Sequence, residues 1–461
     1  MSKLYSPKDI VESGLCIGCG SCVAQTTATN AAMNWDKQGF LKPKGERQWY
    51  ETKSETFSKT CPFSPVAKNE DYLSAHLFDE PRAFSATIGR FQQAYVGYVA
   101  EEEYRLRGSS GGMVSWVASE LLKKGLIDGV AHVTPTANPK EEGGFFKYRI
   151  SRNLDQINEG AQSRYYPIEM SEIIEEIKNV PGRYAVVGIP CFIKAINLLR
   201  LQDTVVAERI QYTLGLFCGH MKSARFVESF AWQMNVPAEN VVKVDYRFKA
   251  PDRPANMYNA KLTLQDGSVV NRDWWHLADG DWGAGFFMNN ACDFCDDVVA
   301  ETADISFGDA WAEPYSKDWR GTNVIVIRSG LIGEMIDKAI EEKKLELAAV
   351  DEKFVTQTQA AGFRQRREGL AYRLTWVNTK VKPCKRVAAQ STNIAVKRKL
   401  IYRMRYYITA GSNQFFAIAR KWKQPKIYLR FAQLATAIYH GLAYHKGKIS
   451  EMKKRFLQLS K

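Results

Sequence analysis

The stretch GSSGGMVSWVASELLKKGLIDGVAHV, residues 108–133, contains three local patterns in succession. It opens with glycines and serines, which are typical of a loop. Apolar residues then recur at the spacing of an amphipathic helix, at positions 113, 114, 117, 121 and 122. The short apolar run GVAHV follows and has the character of a strand. A loop, a helix and a strand in this order predict a fold in which helices and strands alternate.

Apolar runs of strand length continue this alternation on both sides of residues 108–133. They are AYVGYV (94–99), RYAVVGIPC (183–191), YTLGLFC (212–218), the runs at 241–248 and 257–264, ADISFGDAW (303–311) and TNVIVIRSG (322–330). Helical patterns at 222–235 and 331–343 lie between or after them. We therefore predict a central mixed α/β domain over residues 93–350. A cysteine-rich module over residues 1–65 precedes it, and a basic helical tail over residues 380–461 follows it.

Composition and the first residues predict where the protein works. The chain has 461 residues, of which 45% are hydrophobic and 25% charged, as in globular proteins. No apolar run reaches the length of a transmembrane helix, and MSKLYSPKDIVESG contains no apolar segment of a secretory signal. We expect a cytoplasmic protein. In that compartment thiols stay reduced, so clustered cysteines indicate metal ligands or redox groups rather than disulfides.

The net charge of +14 is concentrated at one end of the chain. Residues 380–461 contain 20 Lys and Arg but only one acidic residue, Glu451. The remaining residues carry a net charge of about −5. A protein-wide affinity for nucleic acid is therefore not predicted.

The first cysteine motif is CIGCGSC, in which Cys16, Cys19 and Cys22 recur every three residues, and Cys61 follows before a proline. Three thiolates from one loop plus a distant Cys-Pro are typical of a [4Fe–4S] cluster. Glycines between the cysteines let the backbone wrap closely around it. The alternative is a zinc site, although zinc usually takes two CxxC pairs.

A second group of cysteines follows two predicted strands. Cys191 lies in GIPCF, Cys218 in LFCGH, and Cys292 and Cys295 form a CxxC pair. Ligand sites in open α/β sheets collect at the carboxyl ends of strands, so these four thiols can converge. The alternative is that Cys191 and Cys218 are inert core residues.

The glycine-rich helix start at Ser109, Ser110, Gly111 and Gly112 is a candidate phosphate site, because helix amides and the helix dipole attract anions. The alternative is a simple N-cap by Ser109 or Ser110. The spacing is not GxGxxG, so a standard dinucleotide site is not supported.

Five segments in this order resemble the coenzyme F-420 hydrogenase/dehydrogenase beta-subunit family. They are GSSGGMVSWVASELLKKGLIDGV, QSRYYPIEMSEIIEEIK, AVVGIPCFIKAI, GLFCGH and CDFCDDVVAETADISFGDAW, and the resemblance covers roughly residues 10–345. The family is related to 7-hydroxymethyl chlorophyll a reductase and 8-vinyl reductase. The resemblance implies an iron–sulfur flavoprotein with FAD and two [4Fe–4S] clusters.

The resemblance also implies specific ligands. The N-terminal ferredoxin-like module would hold one cluster through Cys16, Cys19, Cys22 and Cys61. The central flavin domain would hold the other through Cys191, Cys218, Cys292 and Cys295, which leaves Cys384 without a role. The implied flavin contacts are Ser109, Ser110, Gly111, Gly112, Ser163, Arg164 and Tyr165. Arg164 would pair with the pyrophosphate, and its alternative is a surface salt bridge.

These cofactors predict an oxidoreductase that converts between one-electron and two-electron chemistry. We expect electrons to pass between a ferredoxin-like, deazaflavin or NAD(P)H donor, the clusters, FAD and a small organic substrate, in either direction. One alternative is a non-catalytic electron-transfer subunit of a larger redox complex. Another is a zinc-containing interaction protein with a membrane-binding tail.

Several other polar residues lie near these segments but carry no definite role. Arg247 and Lys249 are candidate phosphate or substrate contacts, and Asp304 and Asp309 are either functional carboxylates or turn caps. His220 and His276 are candidate proton donors, although most single histidines are not.

The basic tail has four possible interpretations. It is a helical cap packed on the body, an amphipathic anchor at the inner face of the membrane, a docking surface for an acidic partner, or, least favoured, a nucleic-acid-binding segment.

Overall fold

A computed structural model describes residues 3–27, 30–78 and 83–444. The predicted tail residues 445–461 therefore lie outside the described part of the chain. The strands are β1 (Ala32–Trp35), β2 (Leu41–Lys44), β3 (Ala83–Ser85), β4 (Gly89–Phe91), β5 (Gln93–Val99), β6 (Gly129–Pro135), β7 (Phe146–Ser151), β8 (Tyr184–Gly188), β9 (Ile210–Leu216), β10 (Val241–Phe248), β11 (Asn259–Leu264), β12 (Val269–Asp273), β13 (Ile305–Asp309), β14 (Asn323–Ile327) and β15 (Leu345–Ala349).

Helices precede, separate and follow these strands. They are α1 (Pro7–Glu12), α2 (Ser21–Ala24), α3 (Arg47–Glu51), α4 (Glu55–Thr60), α5 (Glu70–Leu77), α6 (Glu102–Arg107), α7 (Met113–Lys123), α8 (Leu154–Glu159), α9 (Ser171–Asn179), α10 (Pro190–Arg200), α11 (Thr204–Arg209), α12 (Arg225–Gln233), α13 (Gly330–Glu341), α14 (Glu352–Thr358), α15 (Ala360–Arg366), α16 (Glu368–Arg373), α17 (Val396–Lys421) and α18 (Pro425–Ala443). Among the described residues, no helix has the length and apolarity to cross a bilayer.

An eight-stranded mixed sheet forms the centre of the molecule, in the order β15-β5-β14-β13-β9-β8-β6-β7. Strands β6, β8, β9 and β13 run parallel to one another. Antiparallel strands continue the sheet on both sides: β7 beside β6, and β14, β5 and β15 beside β13. The predicted mixed α/β fold is confirmed at this level. The carboxyl ends of the parallel strands lie at one edge, where a site is expected.

The N-terminal residues pack into the same core as the central sheet. Leu15 and Phe63 share a hydrophobic cluster with Ile174 of α9, Phe192 of α10 and Leu370 of α16. Because the cluster joins the N-terminal segment to helices of the α/β region, the two are held together by common apolar burial.

A smaller antiparallel sheet, β10-β11-β12, supports the C-terminal helices. Helices α17 and α18 pack against each other, and Phe416 and Tyr428 join a second cluster with Trp274 and Phe287. Pro425 is the first residue of α18, a position where its missing N–H costs no helical hydrogen bond. The described part of the tail is therefore a helical hairpin that packs on the body.

Candidate functional site

The cysteines of the N-terminal motif lie together around one loop. Cys22 is in α2, and Cys61 follows the last residue of α4. Burial raises the pKa of Cys22, and the nearby Cys19, Cys16 and Cys61 thiols raise it further. Burial also raises the pKa of Cys19 to about 11. The loop and the end of α4 thus bring four thiols together, and a metal would have to displace their protons.

Two glycines with positive φ shape this loop. A Cβ on Gly18 (φ 84°) would lie 2.4 Å from the Leu41 carbonyl oxygen, and one on Gly20 (φ 83°) would lie 2.3 Å from Glu169 Oε2. The Cys19 carbonyl accepts a hydrogen bond from Met170 N at 2.9 Å. Only glycine fits these positions, so the loop is fixed against the segment before α9.

The second group of cysteines meets at the carboxyl edge of the sheet. Cys191 lies in the first turn of α10 after β8, and Cys218 follows β9. Burial raises the pKa of Cys191, and Cys295, Cys218 and Cys292 raise it further. The structure therefore brings these four thiols together, and their role as ligands stays a prediction.

The two cysteine groups are neighbours. Cys19 also raises the pKa of Cys191, although less than burial and the three thiols of its own group do. Burial raises the pKa of Tyr148, and the nearby Cys191 and Cys19 thiols raise it further. Tyr148 therefore lies beside both groups. Any groups bound at the two places would therefore lie next to each other.

A buried arginine contacts the second group. Arg366 Nη1 lies 2.5 Å from Cys295 Sγ, and its Nη2 donates to the carbonyls of Cys218 and Gly219 at 2.8 Å each. No sequence pattern had indicated this residue, since RQRREG is typical of an exposed helix surface. The guanidinium places a positive charge against the Cys295 thiol, which stabilises its thiolate form.

The start of the basic tail is also buried beside this group. Arg386 forms ion pairs with Glu70, Asp71, Asp296 and Glu301, the closest of them Nη1 to Glu301 Oε2 at 2.7 Å. Lys385 lies 3.6 Å from Asp296, the residue after Cys295. These two cations therefore fix the loop that carries Cys292 and Cys295.

A cavity of about 360 Å³ opens beside the second group, within the volume range of ligand sites. Cys218 lies in its wall, as do the end of β8 at Gly188 and Ile189 and the aromatic residues Tyr165 and Trp282. The wall thus combines apolar and aromatic surface with a few polar groups, the composition of a small-molecule site.

The glycine-rich segment before α7 forms one side of this cavity. Ser109, Ser110 and Gly112 line the cavity. Gly111 lies behind them, where a Cβ would be 2.8 Å from Asn323 Oδ1 and from the Gly97 carbonyl oxygen. The N-cap is Gly112 (φ 87°), and Met113 N donates to Asn323 Oδ1 at 3.2 Å. The alternative of a serine N-cap is therefore wrong, because a distant asparagine supplies the cap.

The QSRYYP segment lies across the cavity from this helix start. Ser163 N donates to Ser109 Oγ at 2.8 Å, which joins the two segments. Arg164 donates to Gln162 Oε1 at 2.8 Å, and its Nε is buried without a partner in the described chain. Burial lowers the pKa of Arg164 to about 10. The surface salt bridge considered for Arg164 is not what the structure shows, and an anionic ligand would satisfy its guanidinium.

A lysine that the sequence patterns did not single out lies in the same wall. Lys222 Nζ donates to the Phe286 carbonyl at 2.6 Å and lies 4.7 Å from the centre of the Trp282 ring. Burial lowers the pKa of Lys222 to about 7. His220 stacks on Trp282 at 4.2 Å, and burial lowers its pKa, so it is neutral. The only sequence signal for Lys222 is its position four residues after Cys218.

Of the remaining polar residues that the sequence offered as candidates, some line the cavity and others only hold the fold together. Asp309 holds Arg247 in the cavity wall with two hydrogen bonds, at 2.8 and 3.2 Å. Asp304 accepts from Thr213 N and Oγ1 and is structural. Lys249 donates to the carbonyls of Arg105 and Arg320. The His276 side chain is 73% exposed and lies beside Asp273, away from the cavity wall.

In residues 3–27, 30–78 and 83–444, no three His, Cys, Asp or Glu side chains converge closely enough to hold a single metal ion. The donor set of each cysteine group is purely thiol. Thiolates are the ligands that iron–sulfur clusters require, so the donor chemistry fits such a cluster.

The fold and site define a mixed α/β protein with two neighbouring groups of four cysteines, the second of which borders a cavity. Residues 94–175 match the sequence model for the N terminus of the coenzyme F420 hydrogenase/dehydrogenase beta subunit, and residues 182–353 match the model for its C terminus. Together the two matches span more than half of the chain, and the chain belongs to this family. Membership implies an oxidoreductase with an iron–sulfur electron-transfer role.

A solved chain of the xenon-derivatised F420-reducing [NiFe] hydrogenase complex from Methanosarcina barkeri is also similar. It shares 18% sequence identity, with a TM-score of 0.49, over 64% of this chain and 96% of that chain. No curated protein matches the chain at a significant level. The first cysteine group, Arg366 and the C-terminal hairpin lie outside the two family matches.

Proposed function

We propose that the chain is an iron–sulfur flavoprotein oxidoreductase with two [4Fe–4S] clusters and FAD, acting on a small organic substrate in the cavity. The observation that carries this proposal is the continuous arrangement of the site. Cys19 of the first group neighbours Cys191 of the second, and Cys218 of the second group lies in the cavity wall. Bound FAD exchanges electrons in pairs with a substrate and singly with clusters.

The residues present fit these cofactors. Two groups of four thiols supply the eight ligands that two [4Fe–4S] clusters need. In the cavity, the orphaned Nε of Arg164 offers a cation for the FAD pyrophosphate. Ser109, Ser110 and Gly112 offer a tight backbone at the start of α7. Tyr165 and Trp282, with ring centres 4.6 Å apart, give one side of the cavity an aromatic surface.

The test is an anaerobic assay of iron, labile sulfide, zinc and flavin in the purified full-length chain. We expect about eight irons, an equal amount of sulfide and about one FAD per chain. Zinc in place of iron, with no flavin, would contradict the proposal.

The family description as a beta subunit favours a second candidate, an electron-transfer subunit that turns over only in a complex. It uses the same cofactors, so their content does not distinguish the two. Turnover of the isolated chain with an artificial electron donor supports the enzyme, whereas turnover only after addition of a partner supports the subunit.

Lys222 is the side chain best placed to supply a proton in the cavity. In the reductive direction we expect the rate to fall as the pH rises through about 7, since the pKa of Lys222 is lowered to about 7 and its proton is then lost. Lys222→Gln should reduce the rate about 100-fold and abolish this pH dependence.

Lys249→Gln is the matched control. Burial also lowers the pKa of Lys249 to about 7, but Lys249 is not among the residues that line this cavity, whereas Lys222 is. We expect this variant to keep the decline in rate above pH 7. If the decline instead survives in Lys222→Gln and disappears in Lys249→Gln, Lys222 is not the proton donor.

A further inference from the structure

The outer surface of the α17–α18 hairpin has no covering element in the described part of the chain. Besides Val396 at its first position, the exposed apolar residues of α17 and its C-cap are Leu400, Tyr407, Phe415, Ile418 and Trp422. Their spacing of three, four, seven or eight residues places them on one stripe, about 33 Å long. The residues buried against the body, such as Ile408 and Phe416, lie on another side of the helix.

Helix α18 extends this apolar surface. Phe415 stacks on Phe431 with ring centres 4.5 Å apart. Leu434, one turn further along α18, is 63% exposed. At the turn between the helices, Trp422 is 65% exposed. A large exposed apolar surface of this kind marks an interaction site.

Positive charges surround the turn. Residues 380–444 contain 14 Lys and Arg and no acidic residue. Several of these cations are neutralised by the body, as in the pair of Arg420 with Glu228 at 3.0 Å. Lys421, Lys423, Lys426 and Arg430 form no salt bridge with any residue in the described ranges. The turn therefore carries a cluster of uncompensated positive charge beside an exposed tryptophan.

We propose that this hairpin face, consisting of the apolar stripe of α17, Leu434 and the four cations at the turn, binds the surface of an anionic lipid bilayer. Lysine, which is depleted from protein–protein interfaces, supplies three of the four cations. Lysines beside tryptophan and tyrosine are typical of the membrane–water interface. The exposed apolar residues follow one side of a long helix, as in helices that lie in the membrane interface. This inference rests on the hairpin alone and is independent of the cofactors.

The test is co-sedimentation of the full-length protein with vesicles of phosphatidylcholine alone or mixed equally with phosphatidylglycerol. We expect binding to the mixed vesicles only, with weaker binding as ionic strength rises from about 0.1 to 1 M, because the Debye length falls from about 10 to 3 Å. Replacing the four turn cations with glutamine should lower the partition coefficient by up to about 1000-fold. Trp422→Ala should lower the binding that remains at high salt.

The matched control replaces four exposed lysines elsewhere on the body with glutamine, at Lys37, Lys124, Lys140 and Lys353. It changes the net charge equally and should retain binding. Equal loss in both quadruple variants would overturn the proposal, because only net charge would then matter. The proposal also fails if wild-type protein ignores anionic vesicles but binds duplex DNA or polyglutamate in the same assay.

Discussion

If the wild-type protein contains the proposed eight irons per chain, a Cys19→Ala variant should contain about four and should retain the proposed FAD. Cys19 lies between the other cysteines of its group in sequence and is buried against them. Three remaining thiols cannot complete the four-cysteine ligand set. The cavity wall contains Cys218 but no cysteine of the first group, so the flavin should remain. Iron, sulfide and flavin assays on anaerobic protein check this prediction.

Cys384→Ala is the control for Cys19→Ala. Cys384 is exposed and belongs to neither group. The iron content of the Cys384→Ala variant should therefore equal that of the wild-type protein. An unchanged iron content in Cys19→Ala would show that Cys19 is not a ligand. A loss of flavin together with iron would show that the first group supports the cavity, contrary to the separation seen in the structure.

Arg386→Ala should lower the free energy of unfolding by about 3–5 kcal/mol. The Arg386 side chain is 8% exposed, and the side chains of Glu70, Asp296 and Glu301 are even more deeply buried. Removing the cation leaves carboxylates in a desolvated place without their partner. Denaturant unfolding, carried out on protein with and without bound iron, measures the loss in the free energy of unfolding in each state.

Lys380→Ala is the matched control, because it removes a tail cation that pairs at the surface. Lys380 is 72% exposed and lies 2.8 Å from Glu12, so its loss should change the free energy of unfolding by less than about 1 kcal/mol. Equal effects of the two substitutions would contradict a buried ionic anchor. In Arg386→Ala, a further Glu301→Gln change should recover part of the lost stability, since it removes one uncompensated charge.

The sequence predicted those features that depend on local pattern. Alternating apolar runs indicated β8, β9, β13 and β14, because buried strands leave a continuous apolar run. The regular pitch of Cys16, Cys19 and Cys22 indicated one ligand loop. The helical periodicity of the tail indicated α17 and α18, although it did not show which of their faces packs on the body.

The sequence did not reveal contacts between distant segments. The neighbourhood of Cys19 and Cys191 depends on how the N-terminal loop docks on α9, and no local pattern encodes that distance. Arg366 and Arg386 resemble surface cations until the fold buries them beside Cys295 and Glu301. Gly111 was interpreted as a phosphate contact, yet its lack of a side chain is also required by Asn323 and Gly97.

The position of β5 between β14 and β15 makes the order of synthesis important. Strand β5 leaves the ribosome early, but its hydrogen-bonding partners begin only at Asn323 and Leu345. Until then the nascent chain carries an apolar strand with unpaired edges, which invites aggregation. A chain interrupted before β14 cannot complete the sheet, so both edges of β5 stay unpaired until β14 and β15 have been synthesised.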